Sequence, residues 1–230
     1  MSYLTNPYRY AEVSQHYSTD FSSHGDWSAN TDQLNIVNNR LEWDCDVAQD
    51  QYMNLDLSAL NVSDTEWCLR YEFEFATLNA NTNDVNNACI IGLFSTETPS
   101  GLISSGDSLR YSTYTNNGFA NILDSVAGGS ASCSKTDVSN DPFSLTTNQG
   151  TNFYVETKRV SAILLEQRVW TGSFSGTPVG TAMSQGCAGM STVNDTQFLT
   201  IHLFCTAVEG GGYSGYINQL DFYNNSSVPF

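Results

Sequence analysis

From Asn152 to Trp170 the chain reads NFYVETKRVSAILLEQRVW, and no other stretch constrains the fold as tightly. Phe153, Val155 and Thr157 alternate with Tyr154, Glu156 and Lys158, the period-two pattern of a strand with one dry face and one wet face. Arg159-Val160-Ser161-Ala162 interrupts the pattern. Ile163, Leu165 and Val169 then resume it against Glu166, Gln167 and Arg168. The spacing predicts two strands joined by a short turn, in the middle of one sheet.

The flanking sequence is strand-like on both sides. Leu34 to Val37 reads as a short strand ended by the turn pair Asn38-Asn39. Leu41, Trp43, Cys45 and Val47 face one side and Glu42, Asp44 and Asp46 the other; Tyr52, Met53, Leu55 and Leu57 mark the next strand. The clearest alternation sets Trp67, Leu69, Tyr71, Phe73 and Phe75 inward against Cys68, Arg70, Glu72 and Glu74 outward. Ala88 to Phe94 is an unbroken apolar run, the pattern of a strand covered on both faces. Leu109 to Thr115 and Phe119 to Val126 flank Asn116-Asn117-Gly118, which tolerates the positive φ of a tight hairpin. Gly128 to Gln149 reads as a long loop, Val179 to Cys187 as a weak strand, Leu199 to Val208 as a strong one, and Tyr216 to Tyr223 as the last. About a dozen strands without a helix predict an all-β, two-sheet antiparallel sandwich spanning 20–230 as one domain, preceded by a tyrosine-rich arm or strap at 1–19.

Composition supports this and excludes several roles. The 230 residues are 40% hydrophobic, enough for a core in which about 70% of the unfolded chain's surface is buried. Only 14% are charged, with 8 Lys+Arg against 24 Asp+Glu, a net charge of −16. Such a surface repels phosphate backbones, so nucleic acid is not a partner. No apolar run is long enough for a membrane span. The acidic balance serves either solubility in a saline exterior or Ca²⁺-binding loops. The start, MSYLTNPYRYAEV, lacks the basic end and apolar stretch of a signal peptide. Either a leader has been removed, or the chain reaches the outside as a subunit of an assembly such as a virion.

The six cysteines, Cys45, Cys68, Cys89, Cys133, Cys187 and Cys205, include no CxxC pair. They read as disulfide candidates of an oxidising compartment, with buried free thiols as the alternative. The chain contains no HExxH, GxSxG or P-loop. His16, His24 and His202 are scattered. Glu72 and Glu74 share one strand face, as a glycosidase pair would, but the ExDxxE pattern fails: Glu74 stands where Asp belongs and Thr77 where the second Glu belongs. An enzyme is not expected. Sequons at Asn61, Asn194, Asn224 and Asn225 fit surface loops.

Three pieces carry a family likeness: DFSSHGDW at 20–27, NFYVETKRVSAILLEQRVWTGSFSGTPVG at 152–180 and GYINQLDFYNN at 215–225. Together they resemble the concanavalin A-like lectin/glucanase superfamily, in particular its LamG-type modules. The resemblance implies a jelly roll of two curved sheets, with a structural Ca²⁺ where the first and last strands meet. Asn218 stands at the position of the family's acidic ligand, with Asp20 and Asp221 nearby, so these three are the possible Ca²⁺ ligands. The Glu72/Glu74/Thr77 departure argues against the glucanase branch.

The superfamily hosts many roles. The first expectation is a non-enzymatic extracellular surface module for glycan recognition or adhesion, whose partner is a glycan or cell-surface polysaccharide. Trp170 is the candidate sugar platform because it shares a strand face with Glu166 and Arg168, packing being the other reading; Trp43 and Trp67 fall on apolar faces. The alternative is a structural subunit of an exterior assembly, such as a virion surface protein or extracellular filament, partnered with itself or other subunits.

Overall fold

An alternating sequence becomes a strand where one side of the extended chain can be dried against a second layer. The computed structural model describes residues 15–225 except 24, 26, 30–32, 46–48, 79–86, 102–105, 116–118, 128–129, 138–148, 187 and 206–212. Its strands are β1 (Gln15–Thr19), β2 (Ser28–Ala29), β3 (Leu34–Val37), β4 (Arg40–Asp44), β5 (Gln49–Asp56), β6 (Trp67–Leu78), β7 (Asn87–Phe94), β8 (Ser108–Thr115), β9 (Phe119–Ala127), β10 (Ser130–Asp137), β11 (Asn152–Ser161), β12 (Leu164–Thr171), β13 (Val179–Gly186), β14 (Phe198–Cys205) and β15 (Tyr213–Asn224). Short 3-10 turns occupy Ser58–Leu60 and Ala188–Thr192.

The strands form two antiparallel sheets. Sheet A runs β13-β12-β11-β6-β15-β4-β3 and sheet B runs β10-β9-β8-β7-β14-β5-β2. β4 pairs with Ser214 to Ile217 of β15, and β1 takes up the rest of that edge, from Leu220 to Asn224. Between the sheets, Trp67, Leu69, Tyr71, Phe73 and Phe75 of β6 meet Ile91 and Leu93 of β7 and Leu199, Ile201 and Leu203 of β14. Each aliphatic or Phe side chain among them contributes roughly 1.5–3 kcal/mol by leaving water. Trp43 and Trp67 are in this core, as their faces predicted.

β12 and β11 lie second and third from one edge of sheet A; β6 holds its centre. β11 runs on through Arg159 to Ser161, and the turn is only Ala162-Ile163, leaving Ile163 exposed. Arg159 points inward and is fully buried because carbonyls receive it: its guanidinium donates to Val193 O at 3.0 Å and Met190 O at 3.3 Å. Burial lowers its pKa from the ordinary value. Gln167 is inward too, opposite the buried Thr157, so the alternation is Leu165, Gln167, Val169. β10 lies inside the stretch read as a loop, because Ser130 to Asp137 offers no apolar alternation. The Asn116-Asn117-Gly118 turn is outside the described residues, but Thr115 and Phe119 pair as that hairpin requires. Asn38 and Asn39 form the other expected turn, with φ of 53° and 58°.

Sheet B is dry on both sides at its middle. Ile90, Phe94 and Phe198 form a second apolar cluster, separate from the main core, and Thr200 and His202 are fully buried. Arg110 is buried beside Asp124, its cross-strand partner, with bonds of 2.8 and 3.1 Å. The segment after β7 crosses this face: Asn54 Nδ2 donates to Glu97 O at 2.6 Å, and Gly101 N donates to Asp50 at 2.7 Å. His202 Nε2 lies 2.6 Å from Asp50 Oδ1.

Cys45, Cys68, Cys89 and Cys205 are buried thiols, with no bridge among them. Cys68 sits on the outer side of β6, away from the core cluster that holds the other three. Cys45 and Cys205 hydrogen-bond to each other, and burial pushes the Cys45, Cys68 and Cys89 thiols well above their ordinary pKa. The Cys133 side chain and Cys187 are outside the described residues. Of the sequons, Asn224 is not a surface position: it is 1% exposed, receives Ser63 N and donates to Leu60 O and Asn61 O. Of the N-terminal arm, 1–14 lies outside the described residues and 15–19 is β1.

Two outcomes test this packing. A Cβ on Gly215 would meet Glu74 O at 2.0 Å and the Trp43 ring at 2.4 Å, whereas one on Gly176 meets only Ser173 O at 3.8 Å. Gly215→Ala should destabilise by about 1–3 kcal/mol or more, and Gly176→Ala by little, read as thermal midpoints. For Asp50, burial raises its pKa, but the His202 and Gly101 hydrogen bonds more than offset this and leave it below the ordinary value. The native state therefore holds that proton less readily than the unfolded chain. Its stabilisation is complete above about pH 4 and fades as acid carries the pH through the lowered native value. Asp50→Asn should lower the urea midpoint at pH 7, by a difference that shrinks as the pH falls below about 4.

Candidate functional site

The outward residues of three adjacent strands in sheet A fall into register. One row runs Arg70, Glu156, Arg168, the next Cys68, Lys158, Glu166, and the third Glu72, Tyr154, Trp170, across β6, β11 and β12. The period-two alternation that buries Val155 and Val169 lifts these side chains to the other face. Beyond β12, Gly172 takes a φ of 86°, which lets the chain turn back over the sheet. The returning loop carries Phe174, whose ring meets Tyr154 at 5.3 Å and Trp170 at 5.6 Å, both edge-on.

Between loop and sheet lies a cleft of about 680 Å³, lined on the strands by Arg70, Glu156, Lys158, Glu166, Arg168 and Trp170 and on the loop by Phe174 to Gly176 and Pro178. The three residues expected to act together, Trp170, Arg168 and Glu166, do line one recess. Trp170 is not an open platform, however. It is only 6% exposed, covered by Phe174, and its indole N–H donates to Gly176 O at 3.0 Å. The indole ties down the loop, and Phe174, half-buried, is the aromatic that the cleft presents.

The charges of the cleft are unequally committed. Glu156 holds Arg70 through Nε and Nη2, both at 2.8 Å, and the Arg70 guanidinium lies 4.7 Å from the Phe174 ring centre. Arg168 reaches Glu166 only at 3.4 Å, with 47% of its side chain exposed. Lys158 makes no hydrogen bond or ion pair among the described residues. Beneath the loop, burial and then the Glu72 carboxylate raise the Tyr154 pKa from its ordinary value. Phe174, Tyr154, Arg70, Glu156 and Lys158 were not foreseen as site residues. The one local signal was a Phe set inside the Gly/Ser turn GSFSGTP.

The other expected sites are differently placed. Asp20 and Gln219 line a shallow groove beside β1, while Asn218 lies on β15 outside that lining. Asp20 accepts Ser22 N at 2.9 Å, and that residue's hydrogen bonds lower its pKa. Both oxygens of Asp221 are engaged, with His16 at 3.2 Å and Gln219 at 3.0 Å. Among the described residues no three His, Cys, Asp or Glu side chains converge as metal ligands. Glu72 and Glu74 do share the outer face; Glu72 receives Asn152 Nδ2 at 3.0 Å, and neither lines the cleft. His16 stacks on Tyr223 at 4.4 Å, His202 is buried, and His24 lies outside the described residues.

Solved structures with this architecture are numerous. Arcelin-5, a lectin-like defence protein from Phaseolus vulgaris, superposes with a TM-score of 0.61 at 9% identity over 92% of this chain and 98% of its own. A Bauhinia forficata lectin in complex with GalNAc gives 0.56 at 12% identity, over 92% and 98%. The CBM2 module of the evolved Dit from Lactobacillus casei BL23 phage J-1 gives 0.54 at 10% identity, over 92% and 96%. At these identities the likeness shows the fold: the concanavalin A-like jelly roll that the sequence resemblance implied. No protein-family model and no curated protein matches the chain.

Trp170→Phe keeps the ring contact and removes the bond to Gly176, at a cost of about 1 kcal/mol. Trp170→Ala empties the site and should cost about 3–5 kcal/mol. Limited proteolysis should cut within 172–178 faster in both variants than in the parent chain.

Proposed function

We propose that this chain is a non-enzymatic glycan-recognition or adhesion module of the LamG type, working outside the cell on a surface polysaccharide, with the cleft over β11 and β12 as its sugar site. The observation that carries the reading is the cleft itself: a half-buried aromatic, Phe174, beside a rim of charged donors and acceptors on a rigid sheet. Sugars offer apolar C–H faces edged by hydroxyls, and such a mixture of surfaces matches them. The outward face of sheet B is a poorer candidate, because Ile90, Phe94, Thr200 and His202 are already covered there. The GalNAc-bound Bauhinia lectin shows one sugar held by a protein of this fold. The net charge of −16 suits a saline exterior.

The phage J-1 Dit module gives a second reading its support: a subunit on a virion surface, with itself or other structural proteins as partners. A glycan array probed with the whole chain separates the two. Specific hits are expected, weakened at least tenfold by Phe174→Ala, with unchanged circular dichroism at the assay temperature certifying the fold. An array without hits, together with a large assembly by light scattering, would overturn the lectin reading in favour of the structural one.

A further inference from the structure

The cleft has a charge preference of its own. Of the chain's 8 Lys and Arg residues, Arg70, Lys158 and Arg168 converge here, against Glu156 and Glu166. The recess therefore carries a net charge of +1, three cations less two carboxylates, on a molecule whose total is −16. Arg70 is committed to Glu156 and braced by the Phe174 ring. The two cations nearer the open side are not: Lys158 has no partner among the described residues, and Arg168 has only the 3.4 Å contact to exposed Glu166. Their strand positions are diagonal, Lys158 opposite Glu166 and Arg168 opposite Glu156, so each neighbours a carboxylate and neither is neutralised by it at close range.

Resting on the reading of the cleft as a sugar site, we infer that its ligand is a saccharide bearing one carboxylate, a uronic-acid or sialic-acid type residue. The sugar's carboxylate sits between Lys158 and Arg168, and its C–H face lies against Phe174. A monoanion balances the +1 recess. A densely sulfated chain would bring more negative charge than two flanking carboxylates and an acidic surface tolerate. Arg supplies a planar fork for a carboxylate and Lys a point charge, and each gains from the carboxylate an ion–ion attraction that a neutral hydroxyl lacks. The same two residues leave a neutral sugar with weaker partners.

The test uses a matched pair of otherwise neutral oligosaccharides that carry a single galacturonic acid, as the free acid and as its methyl ester, titrated calorimetrically into the whole chain at low and high salt. The acid should bind about tenfold or more tightly than the ester, with the preference shrinking as salt rises. Lys158→Gln and Arg168→Gln should each remove most of that preference, weakening binding of the acid far more than binding of the ester. Glu166→Gln, which frees Arg168, should strengthen binding of the acid. All three lie on an exposed face, and unchanged circular dichroism and thermal midpoint certify the fold. Equal affinity for acid and ester, or a preference that survives Lys158→Gln and Arg168→Gln, would overturn the acidic-sugar assignment and leave the sugar site standing. Binding of neither form, with array hits confined to neutral glycans, would also overturn it. An array with no hits at all removes the site reading on which it rests.

Discussion

The ladder between β6 and β15 is the contact on which the rest depends. It pairs Trp67 with Asn224 at one end and Leu78 with Tyr213 at the other, joining segments nearly 150 residues apart in sequence. Everything in sheet A hangs from it: β11 and β12 on one flank, β4 and β1 on the other. Closing so long a loop is unfavourable until the apolar row of β6 is buried, so the β6 alternation and the ladder must form together. Two register shifts interrupt this ladder, one an extra residue on β6 at Ala76, opposite Ser214-Gly215, and the other an extra residue on β15 at Asn218. One sits beside Gly215, where the Trp43 ring leaves no room for a side chain.

That ladder also explains why the cleft can be rigid. Its floor is backbone held on both sides by cross-strand bonds, and only the lid loop is free of the sheet. The loop in turn is fixed by one indole hydrogen bond and two aromatic edges, so shape and charge are set before any ligand arrives. Arg70 and Glu156 are structural members of this floor as much as polar lining, since each restrains the other.

How much of this could be read beforehand follows from the range of the interactions. The β6 and β11 alternations, the double-sided burial of β7 and the Asn38-Asn39 turn are local, and period and turn chemistry reveal them. β10 escaped because an edge strand reading SASCSKTD has no apolar rhythm. Arg159 and Gln167 were misplaced because a charged or amide residue goes inward only when distant groups, here Met190, Val193 and Thr157, receive or line it. The same limit applies to the site. Glu166, Arg168 and Trp170 share one strand and were grouped correctly. Arg70, Lys158 and Phe174 joined them only through register and a loop that returns across it. The covering of Trp170 is a tertiary fact of that same loop.

The pairing of β1 with β15 sets how the domain answers to force. Gln15 lies opposite Asn224, so the chain enters and leaves the described domain at the same corner of sheet A. Tension applied between those two points runs across the strands and loads the hydrogen bonds of this pair one after another, as in a zip, instead of all at once. A tether through both ends would peel β1 away at low load. The cleft lies on the same rows, since Arg70 pairs with Asp221 on β15, so a pull between the cleft and either end also crosses the strands of sheet A, but must part the longer β6–β15 ladder before the cleft is detached.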